Sequence, residues 1–262
     1  MKLLRRLNSS LAVLFALAGP ATAADLLAPD QVETTTDSGW TFAFAPYLWA
    51  AGMKGDIGQF GLPEVEVDLS FLDILNHFDI GVMGVGEARH DRFGFLTDLM
   101  YIKLSAGSGV DPKGPINADI DLTAETFTTL GAAEYRLIDE EGGTLDALAG
   151  ARVWWVSTDL DYSGVVINAS GSDSDSWVDP IVGLRGRLNL SPEFFLTSWG
   201  MIGGFGVSSD FTWDVMGGLG YEVSDSISLV AGYRGLGVDY KHDGFVFDVV
   251  QDGPILGAVF RF

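Results

Sequence analysis

The residues best suited to chemistry are charged side chains set into strand-like stretches of alternating polarity. Nine of them share the parity expected to face inward, in the half of each stretch nearest a short turn: Glu87, Arg89, Asp98, Arg136, Arg152, Arg185, Arg187, Glu222 and Arg234. Charges in a dry interior need partners, and arginine is the cation that binds a carboxylate through two hydrogen bonds. The pattern predicts an interior charge network, either a salt-bridge filling or a selective constriction lined by arginines.

The histidines are the first place to look for a catalytic pair. They are His77, His90 and His242. His242 lies beside Asp239, Asp243 and Asp248, but a catalytic pair needs a nucleophile or a water within hydrogen-bond reach of the base. Neighbouring strand residues face opposite ways, so nothing in this spacing sets up such a pair. We expect no enzymatic activity, no catalytic residues and no cofactor.

A short acidic stretch, residues 170–179, is the best candidate for a metal site. It carries Asp173, Asp175 and Asp179, and hard cations prefer such oxygen ligands. It lacks the glycine and the closing glutamate of a calcium-binding loop. We predict no specific metal site, and at most loose binding of divalent cations at the loops.

Ten alternating segments must position these residues. They cover residues 40–50, 78–90, 92–105, 119–138, 144–162, 175–190, 193–207, 210–223, 226–240 and 246–262. Successive strands without helical periods indicate a sandwich or a barrel. Short turns alternate with longer connections, which is typical of barrels that span an outer membrane. We predict an all-β fold, a closed antiparallel transmembrane up-and-down β-barrel of about ten strands, with eight or twelve as alternatives. Residues 64–71 and a helix-like run at 72–78 then belong to the first external loop.

The two parities of a lipid-embedded strand should differ in polarity. In residues 210–223, Phe211, Val215 and Leu219 alternate with Asp214 and Glu222.

We expect the tryptophans and tyrosines to form girdles at both membrane surfaces. The set is Trp40, Tyr47, Trp49, Tyr101, Trp154, Trp155, Trp177, Trp199, Trp213, Tyr221 and Tyr233. We also expect a bulge at Pro46, since proline removes a donor from a strand ladder.

The start of the chain predicts export. Residues 1–23 combine three early cations, an apolar run at 11–18 and an Ala-Thr-Ala cleavage pattern, so we interpret them as a signal peptide. Residues 24–39 form a polar periplasmic linker and residues 40–262 the barrel. Without the three leader cations, 12 Lys and Arg face 36 Asp and Glu, a formal charge of −24. A charge of this sign excludes nucleic acid as a partner.

The end of the chain carries a resemblance. Phe262, Phe260, Ala258 and Leu256 share one parity of a terminal strand. This ending resembles the C-terminal signature of Gram-negative outer-membrane barrels, and the chain resembles the small barrels of the opacity-protein and OmpA transmembrane-domain kind. The resemblance implies a location in the cell outer membrane among its lipid and lipopolysaccharide. It also implies that the barrel-assembly machinery reads Phe262 and Phe260, and that the last strand pairs with the first.

The role predicted for such a chain is structural, or that of a narrow passive porin-like channel for small solutes. One alternative is an outer-membrane barrel enzyme of the protease or lipid acylhydrolase type, with a His/Asp site in an external loop. Another is a soluble exported β-barrel that binds an apolar ligand. The nine charged residues suit either a salt-bridge network that fills the lumen or a selective constriction lined by arginines, and the sequence does not distinguish these two roles.

Overall fold

The computed structural model describes residues 39–60, 64–110, 118–164 and 168–262. The predicted signal peptide, 1–23, and the predicted linker up to residue 38 lie outside the described residues. The elements are β1 (Trp40–Trp49), β2 (Gly52–Gly58), β3 (Val65–Leu69), α1 (Phe71–Asn76), β4 (Phe78–His90), β5 (Phe93–Val110), β6 (Ala118–Glu140), β7 (Gly143–Gly164), β8 (Asn168–Asn189), β9 (Phe194–Gly203), β10 (Phe211–Ser224), β11 (Ile227–His242) and β12 (Phe245–Arg261). Within the described ranges, no helix has the length and apolar character needed to cross a membrane.

Ten antiparallel strands close into a ring. Each strand from β4 to β12 pairs with the next, and β1 joins the two ends: Phe44 is opposite Gly86 of β4 on one side and Phe260 of β12 on the other. The hairpin β2–β3 is not part of the ring, because β2 pairs with the segment of β12 that extends past the end of β1. The all-β barrel of ten strands is confirmed, and the alternatives of eight or twelve strands are wrong. Residues 64–71 and the helix belong to the first long connection, as predicted.

The two ends of the barrel differ. Tight turns join the strand pairs at one end, the turn end, and the longer connections gather at the other, the loop end. β6 has 23 residues and β9 only 10. Because about 9–11 residues of a tilted strand cross a bilayer, β9 matches one crossing, whereas β5 to β8 extend well beyond it at the loop end.

The outer face of the ring is apolar. Along β10, Phe211, Val215 and Leu219 are exposed while Thr212 and Asp214 are buried, which is the predicted parity. Exposed aromatic pairs lie near the turn end, with ring centroids 5.2 Å apart for Phe93–Tyr135 and 5.1 Å apart for Phe194–Tyr221. An apolar outer band with aromatic residues at its border is the lipid-facing surface of a transmembrane barrel.

The bulge expected at Pro46 is wrong. The ladder between β1 and β12 keeps one register from Ala43↔Arg261 to Trp49↔Ile255. On the other side, the ladder between β1 and β4 ends at Pro46↔Gly84. The missing proline donor therefore falls where one ladder stops, and no bulge is needed to accommodate it.

Candidate functional site

The lumen is filled by layers of side chains, and the inward residues of one strand, β7, show the order of these layers. Inward residues of β7, from the turn end to the loop end, are Asp146, Leu148, Arg152 and Trp154, and all four are buried. Because inward side chains alternate with outward ones, each of these positions meets the inward residues of the strands across the ring. The result is a charged layer, an apolar layer, a second charged layer and an aromatic layer.

The second charged layer, called here the central cluster, consists of Arg152, Arg234, Asp98 and Asp214. Arg234 is 1% exposed. Its Nη2 donates to Oδ2 of Asp98 at 2.6 Å and to Oδ2 of Asp214 at 2.7 Å. Nη2 of Arg152 donates to Oδ2 of Asp214 at 2.6 Å. Two arginines thus face two carboxylates, and the cluster is neutral.

Aromatic side chains complete the central cluster. The hydroxyl of Tyr47 donates to Oδ1 of Asp98 at 2.8 Å, and Nε1 of Trp199 donates to Oδ1 of Asp214 at 2.8 Å. The Arg234 guanidinium carbon lies 5.1 Å from the ring centroid of Trp49, within cation–π range. All four carboxylate oxygens therefore accept hydrogen bonds, which is what buried charges need to be tolerated.

The first charged layer, the turn-end cluster, holds three arginines and three carboxylates: Glu87, Arg89, Glu134, Arg136, Asp146 and Arg185. Arg89 lies at its centre, 2.9 Å from Glu87, 3.0 Å from Glu134 and 3.1 Å from Asp146. Arg185 binds Glu87 at 2.5 Å, and Arg136 binds Asp146 at 2.7 Å. This layer is also neutral.

A cavity opens at the turn end below this cluster. Its volume is about 570 Å³, and its charged lining residues are Glu87, Arg136, Asp146, Arg185, Arg187, Glu222, Asp225 and Arg261. Glu222 accepts hydrogen bonds from Arg187 at 2.6 Å, from Arg261 at 3.0 Å and from the Ser228 hydroxyl at 2.7 Å. With four arginines against four carboxylates, the lining favours neither anions nor cations.

The aromatic layer closes the lumen toward the loop end and consists of Trp154, Trp177, Tyr240, Phe245 and Phe247. Trp177 stacks on Tyr240 with ring centroids 3.9 Å apart, and on Trp154 at 5.7 Å. The interfacial girdle predicted for Tyr47, Trp49, Trp154, Trp177 and Trp199 is wrong, because these rings sit on the inward parity and point into the lumen. Aromatic identity alone does not distinguish the two faces of a strand.

The β2–β3 hairpin reaches across the loop end. The backbone N–H of Phe60 donates to Oδ2 of Asp173 at 2.5 Å. Phe60 follows β2, which pairs with β12, whereas Asp173 lies on β8, four strands away around the ring. The hydroxyl of Tyr240 on β11 also bridges to Asp175 on β8, at 2.9 Å. The mouth is therefore bridged twice by contacts between facing walls.

The histidines do not assemble a catalytic pair. Nδ1 of His242 lies 3.5 Å from Asp175, and Nδ1 of His77 lies 2.8 Å from the carbonyl of Asp73. Among the described residues, no serine or threonine hydroxyl forms a hydrogen bond with either ring. The arrangement that an external His/Asp hydrolase would require is thus not found at either position.

The carboxylates in the acidic stretch of β8 bind different partners and do not converge. Asp173 accepts from Phe60, Asp175 from Tyr240, and the buried Asp179 from the backbone and hydroxyl of Ser209 at 2.8 and 2.7 Å. In the part of the chain that the structure describes, no three acidic or histidine side chains converge on a possible metal position.

All nine residues singled out from the sequence point inward and form ion pairs. Glu87, Arg89, Arg136 and Arg185 lie in the turn-end cluster, Asp98, Arg152 and Arg234 in the central cluster, and Arg187 with Glu222 at the cavity. The nine do not include Glu134, Asp146, Asp214 and Arg261, although Asp214 already lay on the polar parity of residues 210–223. A signal existed for Asp146, since it faces Arg136 directly across a short hairpin.

The terminal residues join the last strand to the first. Phe260 is opposite Phe44, and the backbone N–H of Phe262 donates to the carbonyl of Phe42 at 2.9 Å. The ring of Phe262 is 80% exposed. The geometry closes the ring here, while reading of Phe262 and Phe260 by the assembly machinery remains a prediction.

A closed ring with an apolar outer band and a neutral interior is a transmembrane barrel of the outer membrane. Every backbone group at the level of the bilayer needs a partner, which closure supplies. Such barrels place their short turns in the periplasm and their longer loops outside the cell. The central cluster then lies inside the membrane-spanning part, and the β2–β3 hairpin lies outside it.

Comparisons with known proteins give only distant similarities. No protein-family model matches the sequence, and no curated protein matches it. Among solved structures, the translocator domain of the autotransporter NalP from Neisseria meningitidis is 11% identical with a TM-score of 0.45, over 87% of this chain and 90% of that one. The attachment invasion locus protein Ail of Yersinia pestis is 14% identical with a TM-score of 0.33, over 86% and 99%. The toluene transporter TodX of Pseudomonas putida is 12% identical with a TM-score of 0.33, over 86% and 89%. TM-scores this low assign neither ligand nor activity to the chain.

Proposed function

We propose that this chain is a structural barrel of the outer membrane, closed to solutes in the conformation described here. The observation that carries the proposal is the central cluster, buried between an apolar layer and the aromatic layer. The apolar layer consists of Leu96, Leu130, Ala132, Leu148, Ile181 and Met201. A solute crossing the lumen would have to displace both layers and separate buried ion pairs.

The energetics favour a closed lumen. Breaking one buried ion pair costs about 3–5 kcal/mol because it leaves an uncompensated charge in a dry site. Arg234 alone pairs with two carboxylates, at 2.6 and 2.7 Å. Arg234 would rarely separate from both carboxylates at equilibrium, so thermal motion does not open a lasting path for solutes through the lumen.

A narrow passive channel is the second candidate, and the turn-end cavity favours it. The cavity of about 570 Å³ reaches inward to the turn-end cluster, which leaves the apolar layer, the central cluster and the aromatic layer as the barrier. The neutral lining would give such a channel little ionic preference.

The environment of the barrel is also part of the proposal. Outer-membrane lipid and lipopolysaccharide surround it, and the barrel-assembly machinery inserts it. Divalent cations would bind loosely at the loop end. There Asp239, Asp248, Asp56 and Glu66 lie opposite one another on adjacent strands. Like charges directly opposite destabilise a sheet, and lipopolysaccharide-bound Mg²⁺ would offset that repulsion. The structural role that we propose requires no enzymatic activity.

Liposome swelling tests the two candidates. Vesicles containing the folded barrel should swell no faster in isosmotic small sugars than empty vesicles. A variant with Trp154→Ala and Phe247→Ala, which thins the aromatic layer, serves as the comparison. Sugar-dependent swelling by the unmodified protein would favour the channel and reject the closed barrel.

A further inference from the structure

We propose that α1 is an interfacial helix, which sets Leu72 and Leu75 into the outer leaflet where acyl chains meet headgroups. The inference concerns a surface outside the lumen and rests on the membrane location of the barrel. It assigns a membrane-anchoring function to the first external connection.

Both ends of the helix are fixed at the level where the strands leave the bilayer. Before it, Leu69 is opposite Met53 at the start of β2, directly beyond the end of β1. After it, the backbone N–H of Ser105 donates to the carbonyl of His77 at 2.8 Å. Ser105 lies about twelve residues along β5 from its start, close to the length of strand that crosses a bilayer.

The helix begins and ends beside a gap in the barrel wall. The ladder between β1 and β4 ends at Pro46↔Gly84, yet β4 continues to Phe78 on the far side of that pair. In the described chain, α1 connects β3 to this upper part of β4. The helix contacts the two strands of the β2–β3 hairpin and leads from there to the upper part of β4.

Two leucines are exposed on the helix, whose other exposed residues are Asp73 and Asn76. Leu72 is 66% exposed and Leu75 is 50% exposed, and residues three apart share one side of a helix. Beyond Asn76 and His77, exposed apolar residues follow on one parity of β4 at Phe78, Ile80 and Val82, which belong to the lipid-facing band. Water is a poor surrounding for two exposed leucines, whereas lipid continuous with that band is a favourable one.

The only charge on the helix is used to cap it. The carboxylate of Asp73 accepts hydrogen bonds from the hydroxyl and the backbone N–H of Ser70, at 2.6 and 2.9 Å. These bonds form a capping box with the Ser70 hydroxyl, which accepts from the Asp73 N–H. The remaining helix surface, residues 71–76, carries no charge that would oppose contact with acyl chains.

Site-directed spin labelling tests the inference, and the chain has no cysteine to interfere. Nitroxide labels at Leu75→Cys, Val82→Cys and Val65→Cys are measured in phosphatidylcholine vesicles by power saturation with oxygen, which enters lipid, and a nickel chelate, which stays in water. Val82 is the lipid control, and Val65, 61% exposed on the hairpin, is the water control. Heat-modifiable migration on gels shows that each variant is folded.

The label at Leu75 should resemble that at Val82, with an oxygen-to-nickel collision ratio several-fold above that at Val65. A ratio at Leu75 equal to that at Val65, or a label shielded from both reagents, overturns the inference while leaving the barrel in the membrane. A water-like ratio at Val82 itself would instead reject the membrane location.

Discussion

Replacing Arg234 by methionine removes the one cation that pairs with both carboxylates of the central cluster. Asp214 keeps Arg152 at 2.6 Å, but Asp98 keeps only the Tyr47 hydroxyl. Asp98 then becomes a buried charge without a counter-ion, and such a loss costs about 3–5 kcal/mol. We expect the free energy of unfolding to fall by that amount. Guanidinium titration of the barrel in lipid vesicles, followed by tryptophan fluorescence, measures it.

Two variants make this prediction sharp. Lys241→Met removes an exposed cation that lies 3.8 Å from Asp239 and 3.6 Å from Asp248, and exposed pairs are worth about 0–1 kcal/mol. The double variant Arg234→Met with Asp98→Asn removes the stranded charge and should recover part of the loss. If Arg234→Met costs no more than Lys241→Met, the lumen does not bury these pairs.

Three further predictions concern the lipid face, the packing of the wall and assembly. Leu219→Arg places a charge in the lipid-facing band and should cost about 2–4 kcal/mol of folding free energy, whereas Val65→Arg on the external hairpin should stay within about 0.5 kcal/mol; equal denaturant midpoints would reject the face assignment. Gly220→Ala should destabilise the barrel by about 1–3 kcal/mol, because its Cβ would overlap the buried ring of Phe195, whereas a Cβ at Gly217 meets nothing within 4 Å. Similar stabilities of the two variants would contradict the packing. Deleting Phe262 should lower outer-membrane levels in cells yet leave refolding into detergent nearly unchanged, and normal levels in cells would show that it is no assembly signal.

The strands were predictable because alternation is local. The parity of Asp214 and Leu219 on β10 follows from side chains pointing to opposite faces at each step. The full length of β8 was not predictable in this way. It begins at Asn168, seven residues before the predicted start at 175, because the Ser- and Asp-rich stretch has low strand propensity and extends only by pairing with β7.

The charged site could be predicted only in part. The inward parity identified Arg234, but its partner Asp98 lies 136 positions away in the chain. Which strands face each other across the lumen depends on the register of the closed ring, and local pattern does not contain it. The aromatic layer could not be predicted for the same reason. Trp177 of β8 stacks on Tyr240 of β11, although β9 and β10 lie between these two strands in the ring.

Single-channel conductance in planar bilayers tests most directly whether the lumen is closed. The folded barrel, inserted from detergent into a bilayer bathed in potassium chloride, should produce no stable conductance steps at low voltage. The control variant with Trp154→Ala and Phe247→Ala shows whether thinning the aromatic layer changes this. Reproducible steps from the unmodified barrel would contradict the account, because ions would then be passing the central cluster.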